Sequence, residues 1–100
     1  MVQYYACKSG SDWKLAKGGT PDEAYLFAFR SRLNNYSSEE LVVAVGTRKP
    51  EAQNRLTNLE KGTNFVAFCG CGLPYLADPT HYGFRSCDCG RTLMANGQPL

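Results

Sequence analysis

The chain opens on alternation. Tyr4 and Ala6 alternate with Tyr5 and Cys7 over Val2 to Lys8, and a second run follows over Asp12 to Lys17, after Ser9-Gly10-Ser11. Side chains two apart share one face of a strand, so this pattern predicts a β-hairpin with a glycine turn. Gly18-Gly19 then breaks it. Thr20-Pro21-Asp22-Glu23 marks a helix start. Thr20 offers an N-cap oxygen, Pro21 suits the first helical position, and Glu23 completes a capping box. Asp22 and Glu23 also face the positive end of the helix dipole. The spacing of Leu26, Phe29 and Leu33 predicts a helix over 20–34 with these residues as its buried stripe and Tyr25 beside it. Asn34-Asn35 is the expected left-handed stop.

Ser37-Ser38-Glu39-Glu40 has the form of another capping signal, but Leu41-Val42-Val43-Ala44-Val45 is short, β-branched and closed by Gly46. It predicts a buried strand. Pro50 opens a second helix through Lys61. Ala52, Leu56 and Leu59 line one face of it, Glu51 stands four before Arg55, and Gly62 supplies the stop. Phe65 to Cys69 is the next expected strand. The expected class is therefore α+β: two helices, near 20–34 and 50–61, on a small sheet of strands near 2–8, 41–45 and 65–69. Residues 1–63 form this domain.

From Cys69 onward glycine, proline and cysteine dominate and no helical period remains. A loop-rich module is expected over 64–95, followed by a flexible tail over 96–100. The module repeats itself. Cys69-Gly70-Cys71-Gly72 and Cys87-Asp88-Cys89-Gly90 share the pattern Cys-x-Cys-Gly at an offset of 18 residues. Pro74, Asp78-Pro79 and Gly83 between them suit a hairpin or wide loop. Two ligands from one tight turn make half of a tetrahedral site, and a second turn brought across supplies the rest. A glycine after each second cysteine can take positive φ and turn backbone N–H groups toward the thiolates.

Residues 65–93 resemble the zinc-ribbon class of small domains, in which two glycine-terminated cysteine knuckles sit on facing hairpins. That resemblance implies a structural Zn²⁺ held by Cys69, Cys71, Cys87 and Cys89. Zinc-ribbon knuckles are usually Cys-x-x-Cys-Gly, and both here are one residue shorter. The tighter bite leaves three cysteines plus His81 as an alternative ligand set, or another metal. Two disulfides, or four unligated thiols, are the competing readings of the cysteines. Iron–sulfur spacing is absent, which favours zinc. His81 is the only histidine; with four cysteines at hand it reads first as a solvated hairpin residue or a donor to a thiolate. Cys7 reads as a buried strand thiol.

Composition narrows the partners. One hundred residues allow one domain, at most with an appended module, and 43% apolar with 20% charged residues is globular composition. Net charge is +2, from 11 basic and 9 acidic residues, which excludes a strongly polycationic binder or an acidic-tail protein. No basic and apolar leader and no membrane-length apolar run is visible, so the expected compartment is the cytoplasm. Thiols stay reduced there, and an odd count of five cysteines cannot pair fully.

Catalytic signatures are missing. No His-Glu pair stands at helical spacing, and there is no deaminase pattern and no phosphate-cradling loop beyond Gly18-Gly19-Thr20, which reads as a linker and cap. The expected function is a small non-enzymatic, zinc-stabilised protein-interaction or regulatory module with a protein partner and no membrane. By analogy it would be an accessory or inhibitory factor of a larger machine, of the kind that phages and mobile elements carry. The alternative is a nucleic-acid-binding zinc ribbon that uses Lys8, Trp13, Lys14, Lys17, Arg30 and Arg32, with Tyr4, Tyr5 and Tyr36 nearby. Residues 1–32 carry five basic and three acidic groups, whereas residues 62–100 balance Arg85 and Arg91 against Asp78 and Asp88.

Overall fold

The N-terminal alternation folds into a hairpin. In the computed structural model, which describes residues 2–33 and 39–98, β1 (Gln3–Ser9) turns through Gly10 and Ser11 into β2 (Asp12–Gly18). The strands pair antiparallel from Gln3↔Gly18 to Ser9↔Asp12, and Gly10 adopts φ 63°, which a side chain would oppose. β3 (Glu40–Gly46) pairs antiparallel with the other side of β1, so the sheet order is β2-β1-β3.

The strand near 65–69, expected in this sheet, does not join it. A tight two-residue turn delivers β2 to one side of β1 at small loop-closure cost, β3 takes the other side, and no place on β1 remains. β4 (Phe65–Phe68) instead pairs with β5 (Pro74–Ala77), and β6 (Phe84–Ser86) with β7 (Thr92–Met94), as two separate hairpins.

The helices cover opposite faces of the sheet. On one face α1 (Pro21–Phe29) brings Ala24 and Tyr25 onto Tyr5, Cys7, Ala16 and Val42. On the other, α2 (Lys49–Lys61) brings Ala52, Leu56 and Leu59 onto Ala6, Val43 and Val45. Val66 of β4 and Leu76 of β5 pack against this second cluster, so the first C-terminal hairpin rests on the same core as α2. The Glu51–Arg55 pair closes at 2.6 Å, and Gly62 caps α2 at φ 84°.

α1 departs from expectation in two ways. It ends at Phe29, because Arg30 adopts the left-handed conformation and donates its N–H to the Leu26 carbonyl at 2.7 Å. The expected stop at Asn34-Asn35 lies outside the described residues, as do Ser37 and Ser38 of the capping-like run. The buried face is also rotated by one position, about 100° on a helix. Ala24 and Tyr25 are buried with Ala28 and Phe29 beside them, while Leu26 stands 49% exposed. Leu33 still packs on the cluster from beyond the helix end. The start is as its residues dictate: Thr20 Oγ1 accepts the Glu23 N–H at 3.2 Å, and Glu23 Oε2 accepts the Gly19 N–H at 2.9 Å.

Cys7 is fully buried under α1, and desolvation pushes its thiol up to about 12. A neutral thiol is thus favoured in the folded state. Its contribution to stability is complete below the ordinary thiol pKa of about 9 and is lost as pH rises through 12. Cys7 should therefore resist an aromatic disulfide reagent at pH 8 until the protein unfolds. Stoichiometric reaction in the native state would show that this core opens.

Beyond β7, the Gly97 N–H donates to the Met94 carbonyl at 3.1 Å, and Gly97 lies so close to Phe65 and Ala77 that a Cβ would collide with the ring. Of the segment expected as a tail, Asn96 to Gln98 form this turn, and Pro99 and Leu100 lie outside the described residues. Among the described residues no helix is long and apolar enough to cross a membrane.

Candidate metal centre

The two C-terminal hairpins are copies of one design. Shifting the first by 18 positions lays its pairing onto the second, so that Val66↔Leu76 and Phe68↔Pro74 become Phe84↔Met94 and Ser86↔Thr92. Their turns match bond for bond. The Cys69 N–H donates to the Leu73 carbonyl at 2.9 Å, and the Cys87 N–H to the Arg91 carbonyl at 2.8 Å. The Cys69 and Cys87 carbonyls each accept a glycine N–H three residues on, from Gly72 and Gly90, both at 2.9 Å. Both glycines adopt φ 93°. A side chain there costs about 1–2 kcal/mol in backbone strain, and nothing lies near enough to add a clash. Gly72→Ala and Gly90→Ala should therefore each destabilise the protein by that amount, equally within error in a urea titration. A cost confined to one of the two would break the equivalence.

These turns bring Cys69, Cys71, Cys87 and Cys89 together, with all four sulfurs within 4.8 Å of one another. Cys69 Sγ lies 3.6 Å from Cys89 Sγ, and Cys71 Sγ 3.6 Å from Cys87 Sγ. A tetrahedron with metal–sulfur bonds of about 2.3 Å has edges of about 3.8 Å, so the sulfurs already stand at ligand spacing. A disulfide needs about 2.05 Å, and all five cysteines are free. The residues present fit a tetrahedral metal ion.

Backbone donors serve the sulfurs. The Cys71 N–H donates to Cys69 Sγ and pulls that thiol down to about 7. Cys71 and Cys87 accept the Leu73 and Cys89 N–H groups, which lower them. Desolvation and neighbouring sulfurs outweigh this, so that Cys71 is raised and Cys87 stands at about 12. Four thiols this close cannot all ionise without a cation among them. Cys69 is buried, Cys87 half-buried, and Cys71 and Cys89 are exposed.

His81 lies outside the cluster, which comprises the four cysteines. It is exposed and lines a cleft of about 490 Å³ between the sheet and the second hairpin. Cys7 is buried in the α1-side core, far from this role. The six residues considered for nucleic acid divide between the two faces of the sheet. Lys8 lies over the Trp13 ring at 5.8 Å and Lys17 over Tyr4 at 5.7 Å, both cross-strand pairs on the α2 face. Lys14 lies on the α1 face, over Phe29 at 5.1 Å, and donates to the Ala28 carbonyl. Arg30 and Arg32 follow α1, and Tyr36 lies outside the described residues.

The sequence reading counted Arg85 and Arg91 only as charge and missed their contacts. Arg91, in the second turn, lays its guanidinium over Gly70 in the first, where a Cβ would strike it. Arg85 lies over the Tyr75 ring at 5.1 Å and donates to the Leu76 carbonyl at 3.3 Å, fastening one hairpin to the other. Neither contact follows from spacing, because each joins separate hairpins.

No family model, curated protein or solved structure matches this chain.

Proposed function

We propose that this protein is a small, non-enzymatic module, stabilised by Zn²⁺ at the four cysteines, that works by binding another protein. The observation that carries the reading is its exposed apolar surface. Eight large apolar side chains stand exposed among the described residues, including Phe27 at 80%, Tyr82 at 86% and Phe84 at 70%. Single exposed residues are ordinary, but rings held this far into water on so small a chain fit contact surface. Four thiolates favour zinc over harder cations, and they fill a tetrahedron, leaving no open position for substrate. The ion would supply structure by fixing the two turns, while the chain's own residues make the contacts. The role as an accessory or inhibitory factor, and a cytoplasmic setting, belong to the same proposal.

Division of the basic residues between two faces, with three lysines engaged on rings, supports the protein reading over the nucleic-acid one. The test is capture by tagged, zinc-loaded protein from a nuclease-treated lysate of the native host. A stoichiometric protein partner, lost on Phe84→Ser with metal content unchanged, is the expected result. No partner, together with salt-dependent binding to single-stranded DNA or RNA, would overturn it.

A further inference from the structure

The two helices present different surfaces to water. The outward residues of α2, among them Glu51, Gln53, Asn54, Glu60 and Lys61, are polar. α1 turns Ala24, Tyr25, Ala28 and Phe29 to the sheet, and Asp22, Glu23, Leu26 and Phe27 away from it. At 100° per residue the latter four span about 140° of the helix. Leu26 and Phe27 are both exposed, so an apolar pair stands at the middle of this face. Its ends are charged, with Asp22 and Glu23 before the pair and Arg30 and Arg32 after it.

A groove flanks Leu26 on each side. One, of about 540 Å³, is lined by Lys17, Gly18, Glu23, Phe27 and Arg30. The other, of about 320 Å³, is lined by Asp22, Glu23, Arg32 and Leu33. Each therefore holds an acid at the N-terminal end of α1 and an arginine beyond its C-terminal end. Among the described residues Asp22, Arg30 and Arg32 join no ion pair, and Glu23 gives one carboxylate oxygen to the Gly19 N–H. Lys17, the remaining charge, lies over the Tyr4 ring.

We propose that the outer face of α1 is a contact between two copies of this chain, related by a two-fold axis that crosses the helix at Leu26 and Phe27. A two-fold contact joins one patch to itself, so the patch must be self-complementary. Antiparallel alignment meets that condition, because the axis sets each groove against its own counterpart. Along one groove Asp22 of each copy meets Arg32 of the other, and along the second Glu23 meets Arg30. Glu23 and Arg30 stand equally far from the Leu26-Phe27 centre, and Asp22 and Arg32 nearly so. Phe27 of each copy enters the groove beside Leu26 of the other. The opposed helix dipoles add to the attraction, whereas a parallel alignment would set acid against acid. A segment of a single charge sign would leave one end of α1 unmatched, so the charges describe a second copy better than another partner. One nine-residue helix buries less than the ~1,200 Å² of a stable interface, so the dimer forms only when the chain is concentrated. This goes beyond the partner reading, since neither groove takes a residue from the C-terminal hairpins.

The test is sedimentation velocity of the zinc-loaded full chain at low salt, from about 10 μM to about 1 mM. The sedimentation coefficient should climb from the monomer value to the dimer value across that range. Phe27→Asp should hold the chain monomeric throughout. Phe27 is exposed, so this variant keeps its fold and its metal. Asp22→Lys and Arg32→Glu should each weaken association roughly tenfold by setting like charges face to face. The two together should recover most of that loss. A monomer at every concentration would overturn the proposal. So would a dimer that Phe27→Asp leaves intact, or a combined variant no tighter than the single ones. None of these outcomes touches the partner reading, which capture from the host lysate decides.

Discussion

Cys89→Ser is expected to release the metal and loosen much more than its own turn. Cys89 is exposed, so the substitution leaves no packing defect, and the effect isolates coordination. Metal binding at structural sites of this type contributes on the order of 10 kcal/mol. Without it the module consists of two short hairpins, and an isolated two-stranded hairpin is marginal in water. The loss should spread, because Val66 and Leu76 of the first hairpin pack on the α2-side core cluster, to which Val43 and Val45 of β3 belong. Hydrogen exchange should rise most over 65–95 and measurably at β3. Cys71→Ser, at the equivalent position of the first turn, should do the same. Acidification should mimic both, since protons compete for the thiolates and affinity falls as pH falls. Native mass spectrometry reads the metal directly. Unchanged exchange over 65–93 in either variant would remove the centre from the fold's support.

Tyr25→Ala should cost about 3–5 kcal/mol, a large share of the roughly 5–15 kcal/mol that holds a domain of this size. Tyr25 is 1% exposed, packs its ring at a tilt against Phe29 with centroids 5.1 Å apart, and donates its hydroxyl to Glu40, tying α1 to the start of β3. Leu26→Ala, one position along, should change stability by only about 0.5 kcal/mol, since Leu26 faces water. Urea denaturation of the two variants reads the rotation of α1 directly. Equal costs would return the buried stripe to Leu26.

That rotation shows where sequence pattern runs out. Ala24 to Phe29 is six apolar residues in a row, so periodicity offers no unique phase. The apolar face of α2 is legible because Ala52, Leu56 and Leu59 stand among polar neighbours. The end of α1 was hidden for a different reason. Arg30 takes a left-handed conformation that glycine or asparagine usually announces. Strand existence was readable as far as β4, whereas β5, β6 and β7 lie in what reads as a loop-rich module, and sheet membership was not readable, because nothing in Phe65 to Phe68 says which edge is already taken. The cysteine turns were visible as a repeat, since their chemistry is local. The Arg85 and Arg91 contacts and the cleft beside His81 arise only when distant segments meet.

The 18-residue equivalence of the hairpins has a consequence for concentration. One turn holds two sulfurs, half of what a tetrahedral ion takes, and a single-hairpin peptide could complete the site only by recruiting another molecule. Placing both halves in one chain turns that encounter into an intramolecular event, with an effective concentration in the millimolar range set by the short connection between them. The assembled site should then be indifferent to dilution of the protein. Two separate peptides, one carrying each hairpin, should share a metal only when concentrated.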